Sequence, residues 1–257
     1  MHHIFVNDKN VNISNKIIEI SAKDDFENYN HLANALRVKL GEFVLCSVEP
    51  FTTSFDYKTK VIGIDKENIL LQIEESVEGR ELPITVNLYQ GLCKSDKLEF
   101  IIEKAVELGA KTIIPLETKN SVVKFDINEK KSLSKIERYN KISKSAAEQS
   151  KRHIIPEVLK PKDFINLEIL KNENVFNLLF YENENDIIKT RKVLDKIKNT
   201  KDAIVNIFVG PEGGWTDEEV KFAKENNFYI LTLGSRILRT ETAAITALSI
   251  VAYEIEK

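Results

Sequence analysis

Four of the nine glycines in this 257-residue chain fall between residues 210 and 234: Gly210, Gly213, Gly214 and Gly234. They sit in two segments of one layout, a strand-like run, then a glycine-containing loop, then a helical pattern. In the first, residues 206–209 lead into Gly210-Pro211-Glu212-Gly213-Gly214; in the second, residues 230–233 lead into a loop over 234–242. In an open α/β sheet, ligands bind beyond the carboxyl ends of the strands. Glycine there removes side-chain bulk, so backbone N–H and C=O groups can line a small ligand. A tight turn explains any single glycine. Two loops of the same design point to a binding site.

Arginine usage narrows the chemistry. Seven arginines stand against thirty lysines, yet Arg236 and Arg239 fall three apart in the second loop. Where lysine is the default cation, a planar guanidinium fork suits phosphate, carboxylate or a base edge. A structural ion pair with Glu212 or Glu241 is the alternative reading. The dinucleotide pattern GxGxxG and the P-loop pattern GxxxxGK[ST] are both absent, so neither a dehydrogenase nor a P-loop enzyme has support.

The elements that must position these loops follow from periodicity. Residues 1–75 read as short strands at 4–6, 16–20, 42–49, 60–64 and 69–74 around one helix over 25–40, with Gly41 placed to end it. That pattern suggests a small, partly closed barrel. A linker at 77–83 opens a second region, 76–257. There a strand around Ile84, Val86 and Leu88 precedes a helix with Leu98, Ile101, Ile102, Ala105 and Val106 on one face. Asp96 and Glu99 have capping-box spacing, as do Thr216 and Glu219. Strands at 112–116, 175–181, 203–209 and 229–233 alternate with helices, including a basic one over 135–152. The second region is therefore α/β with a mostly parallel sheet. The last helix, 242–256, is apolar nearly all round and must be buried in its domain or against another subunit.

Composition sets bounds. At 42% hydrophobic and 30% charged residues, the chain can build a core within one large domain or two smaller ones. No apolar run approaches the roughly 18 residues of a membrane span, and the N-terminus lacks a signal-peptide pattern. Cys46 and Cys93 are far apart, so neither a disulfide framework nor a metal site is expected. The expectation is a soluble, cytoplasmic protein. The net charge of −3 hides an uneven distribution: residues 76–170 carry seventeen Lys and Arg against fourteen Asp and Glu. Phosphate affinity depends on local clusters, so an RNA partner stays open.

The two loops, as Gly210-Pro211-Glu212-Gly213-Gly214 and Leu233-Gly234-Ser235-Arg236-Ile237-Leu238-Arg239-Thr240-Glu241-Thr242-Ala243, closely resemble the signature of the RsmE-like ribosomal RNA small-subunit uridine methyltransferases of the SPOUT superfamily. The resemblance runs in order along nearly the whole chain. It includes 31–37, 94–123 with Glu99-Phe-Ile-Ile-Glu-Lys-Ala-Val-Glu-Leu-Gly109, and 146–152 with Pro156. It implies an N-terminal PUA-like barrel for RNA over 1–75 and, over 76–257, a SPOUT α/β methyltransferase domain whose C-terminal chain forms a trefoil knot. A knot is something that fold rules alone would exclude. It also implies S-adenosylmethionine as cofactor, no metal, 16S ribosomal RNA of the small subunit as substrate, and a homodimer. One departure stands at the start, where relatives often carry an arginine and this chain has His2 and His3; contacts there would be weaker or pH-sensitive.

The implied reaction is methyl transfer to N3 of a uridine. The resemblance assigns the cofactor to Phe180, Tyr181 and Glu182, to Gly210, Pro211, Glu212, Gly213 and Gly214, and to Leu233, Gly234, Arg236, Ile237, Leu238, Thr240, Thr242 and Ala243. Arg239, with Arg236, is the candidate stabiliser of a uracil anion, and Glu241 the candidate base. The alternative reading of Glu241, which its place at the helix start favours, is a first-turn carboxylate stabilised by the helix dipole. RNA phosphates fall to Arg37, Lys94, Lys97, Lys124, Lys144, Lys151 and Arg152 at the domain junction. His31, His153 and the cysteines read as packing or surface residues. Two competing readings are a non-catalytic RNA-binding module of the same fold and an α/β enzyme using another nucleotide.

Overall fold

Alternating apolar residues lay down the first sheet. The computed structural model describes residues 1–125, 130–170 and 172–256. Six strands, β1 (His2–Asn7), β2 (Val11–Asn12), β3 (Ile17–Ser21), β4 (Phe43–Glu49), β5 (Phe55–Ile64) and β6 (Asn68–Glu78), pair in the order β1-β4-β5-β6-β3-β2. Along β3 and β6, every second side chain enters a core of Ile4, Val6, Ile18, Ile20, Ile69 and Leu71. The boundary expected after residue 75 falls inside β6. The compact unit comprises Met1–Glu81 together with Glu148–Ile154.

The helix expected over 25–40 is shorter. Asp25 caps α1 (Phe26–Asn30), and a wider turn over His31–Leu36 follows. Arg37 takes a left-handed conformation, φ +53°, and the N–H groups of Arg37 and Val38 both close on the Leu32 carbonyl. The chain therefore turns out of the helix four residues before Gly41.

A buried polar chain crosses this unit. His3 Nε2 lies 2.8 Å from Ser47 Oγ, which donates to Asp56 Oδ1 at 2.5 Å. His153 places Nδ1 2.6 Å from Asp56 and Nε2 2.6 Å from the Thr53 carbonyl. Both ring nitrogens face oxygens, which ties the His153 ring to Asp56 on one side and to the backbone on the other. His3 is thus committed to the interior. It cannot make the external contact expected of the residues replacing an arginine; His2 is exposed.

The second unit, Leu82–Ala147 with Ile155–Lys257, is built on an all-parallel sheet. Its strands are β7 (Thr85–Gly91), β8 (Thr112–Glu117), β9 (Glu157–Val158), β10 (Lys162–Asp163), β11 (Val175–Phe180), β12 (Ile204–Val209) and β13 (Tyr229–Leu231). The order is β10-β8-β7-β12-β11-β13, with β9 also on β8. Interior strands of such a sheet are covered on both faces, so β11 and β12 are buried almost continuously rather than alternately. One polar row crosses them: Asn87, Asn206 and Asn177 stand in register and hydrogen-bond in sequence. The helices are α2 (Ser95–Glu107), α3 (Lys130–Ser150), α4 (Ile187–Lys198), α5 (Asp217–Glu225) and α6 (Thr240–Ile255).

Of the two capping boxes expected, Thr216–Glu219 forms at the start of α5. Asp96–Glu99 does not, because α2 begins one residue before Asp96, with Lys94 at the cap position, so Asp96 lies inside the first turn; Glu99 accepts from Arg138 of α3 at 2.6 Å. Helix α6 buries Ala244, Ala247, Leu248, Val251 and Ile255, while Tyr253 is 84% exposed. Among the described residues no helix is long and apolar enough to cross a membrane.

Candidate functional site

Strands β11, β12 and β13 run parallel and end in register, with Phe180 paired to both Val209 and Leu231. They therefore deliver their following loops to one edge of the sheet. These three loops enclose a cavity of about 430 Å³, within the roughly 300–1,000 Å³ of small-molecule sites. Every residue expected to meet the cofactor lines it except Thr242, which is exposed on the first turn of α6. Lys97, Val209, Trp215, Thr232 and Arg239 complete the lining.

Specific bonds hold the loops together. Trp215 Nε1 donates to the Phe180 carbonyl at 3.0 Å, fastening the second loop to the first. Thr240 Oγ1 donates to the Gly210 carbonyl at 2.6 Å, fastening the third to the second. Asn120, from the segment after β8, donates to the Gly213 carbonyl at 2.9 Å. Gly234 has φ +116°, and a Cβ there would meet nothing within 4 Å. The requirement for glycine is thus conformational rather than steric.

Arg236 and Arg239 are exposed and have no ion pair among the described residues. Glu212 and Glu241, the partners that sequence spacing offered them, are engaged elsewhere. Lys97, near the start of α2, places Nζ 3.2 Å from Glu212 and 3.9 Å from Glu241. A cation in the first turn of a helix opposes the helix dipole, and two carboxylates offset that cost. The hydrogen bond to Glu212 outweighs desolvation and holds the Lys97 ammonium above the ordinary lysine range. Burial pushes the Glu212 carboxyl up, but hydrogen bonds from its own N–H, from Lys97 and from the Lys94 N–H outweigh it and bring it below its usual value. Burial, reinforced by Glu212, pushes the Cys93 thiol up to about 12.

This geometry revises three expectations. Glu241, the candidate base, does not line the cavity; its Oε2 is buried without a hydrogen-bond partner among the described residues. It occupies the first turn of α6, and its nearest cation is Lys97. Lys97, expected to touch RNA phosphate, is instead part of the cavity wall. Arg152, expected in the same role, is 3% exposed, and both ends of its guanidinium bond to Glu81. Of the other expected RNA cations, Arg37 in the first unit and Lys94 and Lys124 in the second are exposed; Lys144 and Lys151 are half-buried. Trp215 and Asn120 were not anticipated. The single tryptophan directly after Gly213-Gly214 was the one available signal.

Residues 80–252 match the RNA methyltransferase domain family. The chain is similar to ribosomal RNA small subunit methyltransferase E of Bacillus subtilis, at 37% identity over 234 residues that cover 90% of this chain and 89% of that protein. The protein of the same name from Buchnera aphidicola subsp. Acyrthosiphon pisum is 30% identical over 236 residues, covering 87% and 84%. Among solved structures, ribosomal RNA small subunit methyltransferase E from Neisseria gonorrhoeae, bound to S-adenosyl methionine, gives a TM-score of 0.78 at 25% identity, covering 98% of this chain and 97% of that one. A Legionella pneumophila methyltransferase with bound S-adenosylmethionine gives 0.78 at 27% identity, covering 98% and 96%.

Proposed function

Because this chain belongs to the RNA methyltransferase family that includes ribosomal RNA small subunit methyltransferase E, we propose that it methylates N3 of a uridine in 16S ribosomal RNA, using S-adenosylmethionine. The observation that carries this reading is the three-loop cavity with two uncommitted guanidinium groups in its lining. Its donor set fits the cofactor. Backbone groups of the Gly210 and Gly234 loops suit an adenosine edge, and Glu182 lines the wall with no ion pair among the described residues, suited to an ammonium or a hydroxyl.

The bound cofactor supplies a methyl group on a positively charged sulfur. This chain's contribution is position and charge. Holding two reactants in line is worth on the order of 7–11 kcal/mol in well-oriented cases. A uridine can present N3 only after losing its proton, and Arg239, with Arg236, meets the negative charge that then develops on the ring. Glu241 acts through Lys97, which it and Glu212 hold at the wall. N3 is buried in any base pair, so the target is unpaired or extruded.

The first unit serves as a PUA-like RNA-binding barrel, the C-terminal chain passes through a trefoil knot, and two copies associate through α6. Ribosomal RNA as substrate puts the enzyme in the cytoplasm. The deciding experiment is methyl transfer from labelled cofactor to small subunits from cells lacking the gene, compared with naked 16S RNA. Incorporation at uridine N3 is expected. RNA binding without any incorporation would leave the non-catalytic module, and failure to bind S-adenosylmethionine would leave an enzyme of another nucleotide.

A further inference from the structure

Beneath the cavity lies a side chain that the reaction has not used. Gln90, next to last in β7, is fully buried. Its Nε2 donates to Thr240 Oγ1 at 2.8 Å and to the Gly91 carbonyl at 3.0 Å, with the Gly210 carbonyl at 3.4 Å. The Thr240 hydroxyl passes the link on to the Gly210 carbonyl. Gly91 closes the same junction from the backbone side: a Cβ there would stand 2.4 Å from Pro211 N. The end of β7 is thus seated directly under the Gly210-Pro211 turn and the first turn of α6, and both of these line the cavity.

The amide is not explained by stability. Gln90 Oε1 is buried with no hydrogen-bond partner among the described residues. A buried acceptor left unpaired is a cost that an apolar side chain of similar size would not incur. What an apolar side chain cannot do is orient the Thr240 hydroxyl. With the Gln90 amide donating to it, the oxygen is an acceptor on that side and its own proton goes to Gly210.

We infer that Gln90 is a positioning residue of the cofactor cavity, acting through Thr240 to hold the Gly210 loop and the start of α6 at a fixed separation. The inference rests on the cavity being the S-adenosylmethionine site. It is tested by calorimetric titration of the full chain with S-adenosylmethionine, alongside thermal melting, for wild type, Q90M, T240V, Q90M/T240V and T240S. Each of Q90M and T240V should weaken binding about tenfold, as expected for one or two lost hydrogen bonds. The double variant should be no weaker than the poorer single variant, since both cut one link. T240S, which keeps the hydroxyl, should restore most of the affinity. Single variants that melt earlier yet bind as wild type does, or a double variant with fully additive loss, would overturn the inference. If Q90M does not fold, T240V against T240S decides alone: equal affinity of the two refutes the link. Absence of binding by wild type would instead remove the functional reading, so the two failures are distinct.

Discussion

Arg152→Ala separates a structural cation from a nucleic-acid contact. The Arg152 side chain is 3% exposed, and its guanidinium engages both oxygens of Glu81, which is itself 27% exposed. Breaking a buried ion pair by deleting one partner costs about 3–5 kcal/mol, most of it from the charge left behind. Here the abandoned carboxylate reaches some water and keeps the N–H donors of His153 and Ile154, at 3.0 and 3.3 Å. That lowers the expected loss to about 2–4 kcal/mol. At about 2–4 °C per kcal/mol for a chain of this size, the melting temperature should fall by roughly 4–16 °C. E81Q should lose part of the same stability, and R152A/E81Q should lose less than the sum, because no lone charge remains. Thermal melting of all three variants is the assay, paired with RNA-affinity measurements below the melting range. An R152A protein that melts like wild type but binds RNA several-fold more weakly would refute the assignment and return Arg152 to the RNA-contacting set.

Arg239→Ala makes the opposite prediction. Stability should stay within about 0.5 kcal/mol and cofactor affinity should hold, while methyl transfer falls on the order of 10²–10³-fold; normal turnover would discard the role. Both thiols should resist alkylation in the folded protein, because Cys46 and Cys93 are buried and burial pushes each thiol up to about 12. Rapid labelling of either without denaturant would contradict that. The Lys97–Glu212 pair has a defined pH window. Glu212, lowered on folding, contributes stability above the ordinary carboxylate range and loses it as pH falls through its lowered value; Lys97, raised on folding, contributes below the ordinary lysine range and loses it as pH climbs through its raised value. The stability difference between wild type and E212Q should therefore be level between the ordinary carboxylate and lysine ranges and vanish in acid once the pH falls below the lowered Glu212 value, and a difference that persists in strong acid would disprove the pairing. RNA affinity should fall steeply with salt, and a level salt response would remove Arg37, Lys94 and Lys124 from any phosphate-binding role.

What could be read from the sequence was local. The glycine loops, the run of strands that precede them and the Thr216–Glu219 box each depend on residues within a few positions of one another, and each is present in the fold. The Asp96–Glu99 spacing is the same as that of the successful box. It fails because the helix starts at Ser95, with Lys94 at the cap position, which leaves Asp96 inside the first turn. Spacing describes which hydrogen bonds are possible at a helix end, and it is blind to a helix that starts a residue or two earlier than the pattern implies. The helix over 25–40 fails for a different reason: apolar periodicity carried on past the point where Arg37 takes positive φ, and nothing in an arginine signals that conformation.

The cations make the limit sharper. Arg152 and Arg239 are the same residue type, and both lie in segments that carry the family resemblance. One is buried on a carboxylate 71 positions away; the other has no ion pair among the described residues, and the two carboxylates that loop spacing offered it are paired with a lysine more than a hundred positions upstream. Neither outcome can be obtained by counting charge in a window. The net charge of −3 argues against an RNA partner only if every cation counts equally, and here they do not: Arg152 and Lys97 are consumed inside the protein, Arg236 and Arg239 are left in the cavity lining. The functional content of a basic residue in this fold depends on whether a carboxylate has already claimed it, and Lys97, by pairing with Glu212 and Glu241, takes the two partners that loop spacing offered to the arginines.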